Sequence, residues 1–265
     1  MTALRREEGT LPSQPPPQTI DEVLRALDQI ISTCRQENSR SGFFAALYRN
    51  VTIKVKEGIA AGAFDDGPRM ERLDVAFANR YLSAFESFRQ SQPLSYCWRV
   101  AFQTASNYWP LIIQQLLVGS NAHINFDLGI AAAGIAPGAE LPALRGDFDR
   151  INNILGSMIV KVRTDVEELS PWIKFLDQIA PTAEDTIINF SLNKARDSAW
   201  LVATMVNSTP PEQLGTKLSI LDDGVAMLGS LIASPKGWLV NLGLHAIRVR
   251  ESNDVPHIIA VLGQV

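Results

Sequence analysis

Residues 119–129 read Gly-Ser-Asn-Ala-His-Ile-Asn-Phe-Asp-Leu-Gly, with Ile112, Ile113 and Leu116 before them and Ile130 and Ala131 after. A helix through this stretch is hydrophobic nearly all round, which places it at the centre of a helical protein rather than on its surface. His123 and Asp127 are four residues apart, so on that helix they share one face, one turn from each other. Inside an apolar stripe both are costly to bury unless they bind each other, another polar group or a metal.

Working outward, the whole run from Leu94 to Ile135 is apolar, and Pro110 and Gly119 are expected to break it into two or three helices. On the N-terminal side, Thr19-Ile20-Asp21-Glu22 reads as a helix start, followed by Val23, Leu24, Leu27, Ile30 and Ile31 at helical period. A second helix is predicted from Gly42 to about Ile59. A third starts at Pro68 or Arg69, after the Asp65-Asp66-Gly67-Pro68 turn, and runs to about Gln90. On the C-terminal side, Pro137, Gly138 and Pro142 mark a loop, and helical patterns cover 147–168, 171–180, 184–206, 211–232 and 236–250. Val255 to Leu262 reads as a short helix or strand. No hairpin signature and no internal repeat interrupts the pattern. The fold class is therefore all-α, a single multi-helix bundle of about eight to ten helices. That helical domain covers 19–265, behind a proline-rich, disordered tail over 1–18.

A net charge of -4, with no basic run interleaved with aromatics, argues against a nucleic-acid partner. Trp238 to Ile247 is too short to span a bilayer, and residues 1–18 lack the apolar run of a secretory signal. The expectation is a cytoplasmic protein without a membrane span. Cys34 and Cys97 have no metal-like or redox-motif spacing and read as buried thiols of a reducing compartment. Phosphate loops, nucleophile elbows and His-Glu-x-x-His motifs are absent.

The third helix repeats the anomaly of the His123 segment. On a wheel of ~100° per residue, Glu71 and Asp74 head a face that continues through Ala78, Tyr81, Leu82 and Phe85, while Arg69 and Arg80 point in another direction. Two inward polar pairs on two helices are how bundles build metal sites. Glu71, Asp74, His123 and Asp127 would supply three carboxylates and one imidazole. This oxygen-rich set suits iron, manganese or magnesium better than a structural zinc site, with catalytic zinc also admissible. The same four residues are the candidate catalytic groups. Asn121, Asn125, Arg69, Arg80, Tyr81 and Arg196 are candidate ligand-binding groups around them. Arginine–carboxylate pairing inside a structural network explains the same residues without chemistry. Asp147, Asp149 and Asn152 read as a helix cap, Asp222-Asp223 as a solvated face, and His245 and His257 as lone histidines. Tyr96 to Leu117, with Trp98, Phe102, Tyr108 and Trp109, reads as core.

Three segments taken together carry a resemblance: Phe43-Phe44-Ala45-Ala46-Leu47-Tyr48-Arg49, then Arg69-Met70-Glu71-Arg72-Leu73-Asp74 with Phe77-Ala78-Asn79-Arg80-Tyr81-Leu82, then Asn121-Ala122-His123-Ile124-Asn125-Phe126-Asp127-Leu128. The combination resembles a bacterial family classed only as a domain of unknown function, over roughly Ile20 to Leu262, and implies no activity. His123 and Asp127 are also similar to the His-x-x-x-Asp element of helical zinc-dependent phospholipases C and related nucleases. The further histidine of that element has no counterpart between Gly129 and Pro137.

Two readings stand at this point. In one, the chain is an enzyme acting on a small, partly apolar molecule at the His123, Asp127, Glu71 and Asp74 site, with or without a metal. In the other, it is a non-catalytic helical binding or scaffold protein whose central polar cluster fixes helix register.

Overall fold

The computed structural model describes residues 15–173 and 192–264. Among the described residues every regular element is helical: α1 (Ile20–Gln36), α2 (Gly42–Ala60), α3 (Gly67–Arg89), α4 (Tyr96–Ser106), α5 (Ile112–Asn121), a π-helical turn (Ala122–Leu128), α6 (Gly129–Ile135), a 3-10 turn (Gly138–Glu140), α7 (Leu141–Leu169), α8 (Leu192–Ser208), α9 (Pro211–Ala233), α10 (Trp238–Arg248) and α11 (Val255–Leu262). The all-α expectation holds. The helix expected over 171–180, the start of the one over 184–206 and most of the 1–18 tail lie outside the described residues. Residues 15–18 are described and already held, because Asn79 donates to the carbonyl of Pro17 at 2.8 Å.

Local chemistry explains where the helices begin. Thr19 caps α1 by accepting from the Glu22 N–H, with Asp21 and Glu22 in the first turn against the positive end of the helix dipole. Asp66 does the same for α3 through the Arg69 N–H. Proline stands in the first turn of α3, α7, α9 and α11, where its missing N–H costs nothing. This corrects the expected loop at Pro142, which instead opens α7.

Gly119 does not break the central helix. Its missing side chain lets α2 approach, since a Cβ there would lie 2.7 Å from the Phe44 ring. Gly129 likewise lets α8 press its Ala199 carbonyl and Val202 against the rod. Residues 112–135 therefore run as one rod, α5–π–α6, and the break in regularity falls at Ala122–Leu128, between the two close approaches.

Around the rod the apolar side chains form three clusters. The largest joins α1 to α5 with α9 and α11 through Phe43, Tyr48, Tyr81, Trp98 and Phe102. The second joins α3, α6, α7 and α8 through Met70, Leu73, Leu144 and Phe148. The smallest seats α10 on Leu111 through Val240, Leu244 and Ile247. Tyr96, Tyr108 and Trp109, expected in the core, are instead exposed. Among the described residues no single helix is long and apolar enough to cross a membrane.

A candidate acid–base site in the π turn

The π turn carries His123 and Asp127. Its backbone bonds run to the fifth residue instead of the fourth, and such turns inside α-helices are frequent at functional sites. Both side chains are sealed, at 2 % and 1 % exposure. The i,i+4 relation survives, with His123 Nδ1 lying 3.4 Å from Asp127 Oδ2, a long contact. Asp127 is gripped more tightly from two other helices. Arg80 Nε on α3 donates to Oδ1 at 2.7 Å, and Trp98 Nε1 on α4 donates to Oδ2 at 2.7 Å. Both carboxylate oxygens therefore accept, and the Nδ1 facing them is the donor.

Five aromatic rings enclose the imidazole. Phe77 stacks on it, with centroids 3.5 Å apart and planes within 7°. Tyr48 meets it edge-on at 4.5 Å, and Phe44, Trp98 and Tyr81 stand at 5.8, 5.9 and 6.1 Å. Burial pushes the imidazole below its usual range. Asp127 opposes that shift and Arg80 reinforces it. His123 Nε2 is buried and has no partner, as are Tyr81 Oη on the same box and Asp74 Oδ2 on α3. With Nδ1 carrying the proton, Nε2 presents a bare lone pair.

The expected four-residue metal set is not assembled. Among the described residues no three His, Cys, Asp or Glu side chains converge where an ion could sit. The reason is Arg80: its guanidinium occupies the side of Asp127 that a cation would take, and Trp98 and His123 take the other. Glu71 faces the start of α1, where Oε1 accepts from Ile20 N at 3.3 Å. Asp74 is buried, and burial, with Glu71 adding, pushes its carboxyl up to about 7.

The wheel separated Arg80 from the central acids, yet Arg80 is the α3 residue that reaches Asp127. Its long side chain, 32 % exposed, spans back from the helix flank. Arg69 goes elsewhere, donating to Asp147 and the Ala143 carbonyl, both at 3.1 Å. Arg196 donates to the Phe148 carbonyl and lies over the Phe148 ring, 4.4 Å from its centroid. Burial lowers its pKa to about 10. Asn121 ties the rod to α9 through the Val225 carbonyl at 2.8 Å and accepts from Asn125 at 3.0 Å, so this pair holds helices. In the sequence Phe44, Tyr48 and Phe77 belong to the segments that carry the family resemblance, and Trp98 reads as core. Their convergence on His123 depends on the crossing of α2, α3 and α4, which no local pattern encodes.

A cavity of about 20 Å³, room for one water molecule, lies beside the box between Arg40, Phe44, Trp98, Phe102, Gln115 and Gly119. Phe44 and Trp98 line both spaces.

No curated protein and no solved structure matches the chain. Residues 20–235, which include all four helices that build the box, match a family model, and the chain belongs to that family, a family of unknown function (DUF5995).

Proposed function

We propose that the chain is an enzyme in which His123 acts as a metal-free general base on a small, largely apolar molecule, with Asp127 orienting the imidazole. The observation that carries this reading is the asymmetry of His123: Nδ1 faces a fixed carboxylate while Nε2 is buried and bare. A positioned imidazole with one nitrogen committed and the other free is what proton abstraction requires. The aromatic walls suit an apolar substrate body. Burial keeps the imidazole neutral, and so basic, at neutral pH. Access requires a side chain to move, and Phe44 and Trp98, shared with the small cavity, are the walls beside existing space.

The test is ligand-observed NMR and turnover with a panel of small esters, amides and ketones on the wild-type protein and on His123→Gln. The expected result is a compound that binds and turns over on the wild type. Its rate falls as pH drops through the depressed His123 pKa, and His123→Gln, still folded, loses at least about a hundredfold. Turnover or binding that His123→Gln leaves unchanged would contradict the reading.

A second reading is favoured by the closure of the site. Both oxygens of Asp127 are satisfied, and the imidazole is all but inaccessible. On this reading the cluster locks α3 and α4 onto the rod and has no substrate. It predicts that loss of His123 lowers stability.

A further inference from the structure

The helix that stands apart from this chemistry is α10, which begins just past the matched stretch. It buries Val240, Leu244 and Ile247 against Leu111 and turns the opposite stripe outward. Trp238, Leu239 and Leu242 are 75, 59 and 61 % exposed, an apolar face where a solvated helix carries charge. The face continues onto the α4–α5 connection, where the exposed Trp109 ring lies 4.2 Å from that of His245. Exposed contiguous apolar surface of this kind marks an interaction site.

Charge identifies the partner. Gly224 to Arg250 contains no Asp or Glu, although the chain as a whole carries net charge -4. The exposed cations Lys236 and Arg250 flank the two ends of α10, and Arg250 lies over the exposed Trp172 ring, 4.9 Å from its centroid. In a two-fold dimer through this face the same cations would meet, with no acid in the Gly224–Arg250 run to pair them. An anionic bilayer meets both requirements. Acyl chains take the leucines, the headgroup level takes the tryptophans, and lipid phosphates and carboxylates take the flanking charges. α9 and α10 together have the length and composition of a membrane segment, but they are bent by 68°. With its inner face seated on the core, α10 is placed to lie in the interface rather than cross it.

We propose that α10 is an interfacial anchor that docks this protein on a lipid surface carrying anionic headgroups. The inference stands independently of the His123 reading.

The experiment is flotation of the full chain with vesicles of phosphatidylcholine alone and of phosphatidylcholine with about a third phosphatidylserine. Protein should float with the anionic vesicles, shift its tryptophan emission to the blue, and be released by about 1 M salt. Trp238→Ser/Leu242→Glu, at exposed positions, should cut binding at least about tenfold without moving the melting transition. Lys236→Ala and Arg250→Ala should each cost about fivefold. Failure to float, equal binding to both vesicles, or binding indifferent to these variants would overturn the proposal. A concentration-dependent dimer that Trp238→Ser/Leu242→Glu dissolves, without vesicle binding, would overturn it too and assign the face to a second copy.

Discussion

The acids at the rim of the molecule and those at its centre are satisfied in different ways. Asp147, Asp222 and Glu251 each close the start of a distant helix. Asp147 accepts from the N–H groups of Asp65 and Asp66, Asp222 from those of Tyr96 and Cys97, and Glu251 from that of Ile112. Such orphan N–H groups exist at every helix start, so these acids have a complete structural explanation. Asp127 accepts only from side chains, and both His123 and Asp74 keep a buried atom without a partner. The first group of acids is committed to helix starts, although Arg69 Nε and Arg248 Nη1 beside them are also buried without a hydrogen-bond partner. At the centre the uncommitted atoms belong to an acid and a base, His123 Nε2 and Asp74 Oδ2, and that pairing points to chemistry.

The largest effect that would sharpen this contrast belongs to the rim. Burial pushes the Asp147 carboxyl up, but the Asp65 and Asp66 N–H groups with Arg69 and Arg150 outweigh it and hold it below the usual carboxylate range. Its stabilisation is therefore present above pH 3.8 and lost as pH falls through the lowered value. Asp147→Ala should cost about 3 kcal/mol in urea unfolding at pH 7, because it leaves the Asp65 and Asp66 N–H groups without an acceptor and removes one partner each from Arg69 and Arg150. A loss under about 1 kcal/mol would show that the rim acids are not what fixes these helix starts.

Asp74 should behave in the opposite sense. Its folded pKa is raised from 3.8 to about 7, so the fold favours the protonated acid. Stability is full below pH 3.8 and is lost as pH rises through about 7. Asp74→Asn should therefore gain on the order of 1 kcal/mol at pH 8 relative to the wild type, with the advantage gone near pH 4. Glu251, also raised to about 7 by burial, keeps part of the slope in place. An Asp74→Asn variant less stable at pH 8 than at pH 4, relative to the wild type, would show that the carboxylate is needed by the fold.

What the sequence made legible follows from range. Thr19, Asp66 and Pro68 act within one helical turn, so the starts of α1 and α3 could be placed from local chemistry, whereas Pro142, beside Pro137 and Gly138, reads as loop and opens α7. Gly119 was misleading because its role is a contact with Phe44 on another helix, not a local break. The π turn is hidden in an ordinary helical pattern, between the close approaches of other helices at Gly119 and Gly129. Asp222, expected on a solvated face, caps α4 across a gap of more than a hundred residues. His123 and Asp127 stood out as polar residues in an apolar stripe. Their partners Arg80 and Trp98 could not be paired with them from spacing, and the wheel turned Arg80 away.

The smallest effect carries the central claim: hydrogen bonds tie Asp127 into the fold, whereas those of His123 add little to it. Equilibrium urea unfolding of Asp127→Asn beside His123→Gln tests it most directly. Asp127→Asn should lose about 2 kcal/mol, because it uncouples Arg80 from the rod and weakens the Trp98 contact. His123→Gln should lose less than about 1 kcal/mol, since its one hydrogen bond is long, its other nitrogen is already unpaired, and only the ring packing on Phe77 and Tyr48 is weakened. A His123→Gln variant that loses as much as Asp127→Asn would contradict the account and make the imidazole part of the scaffold.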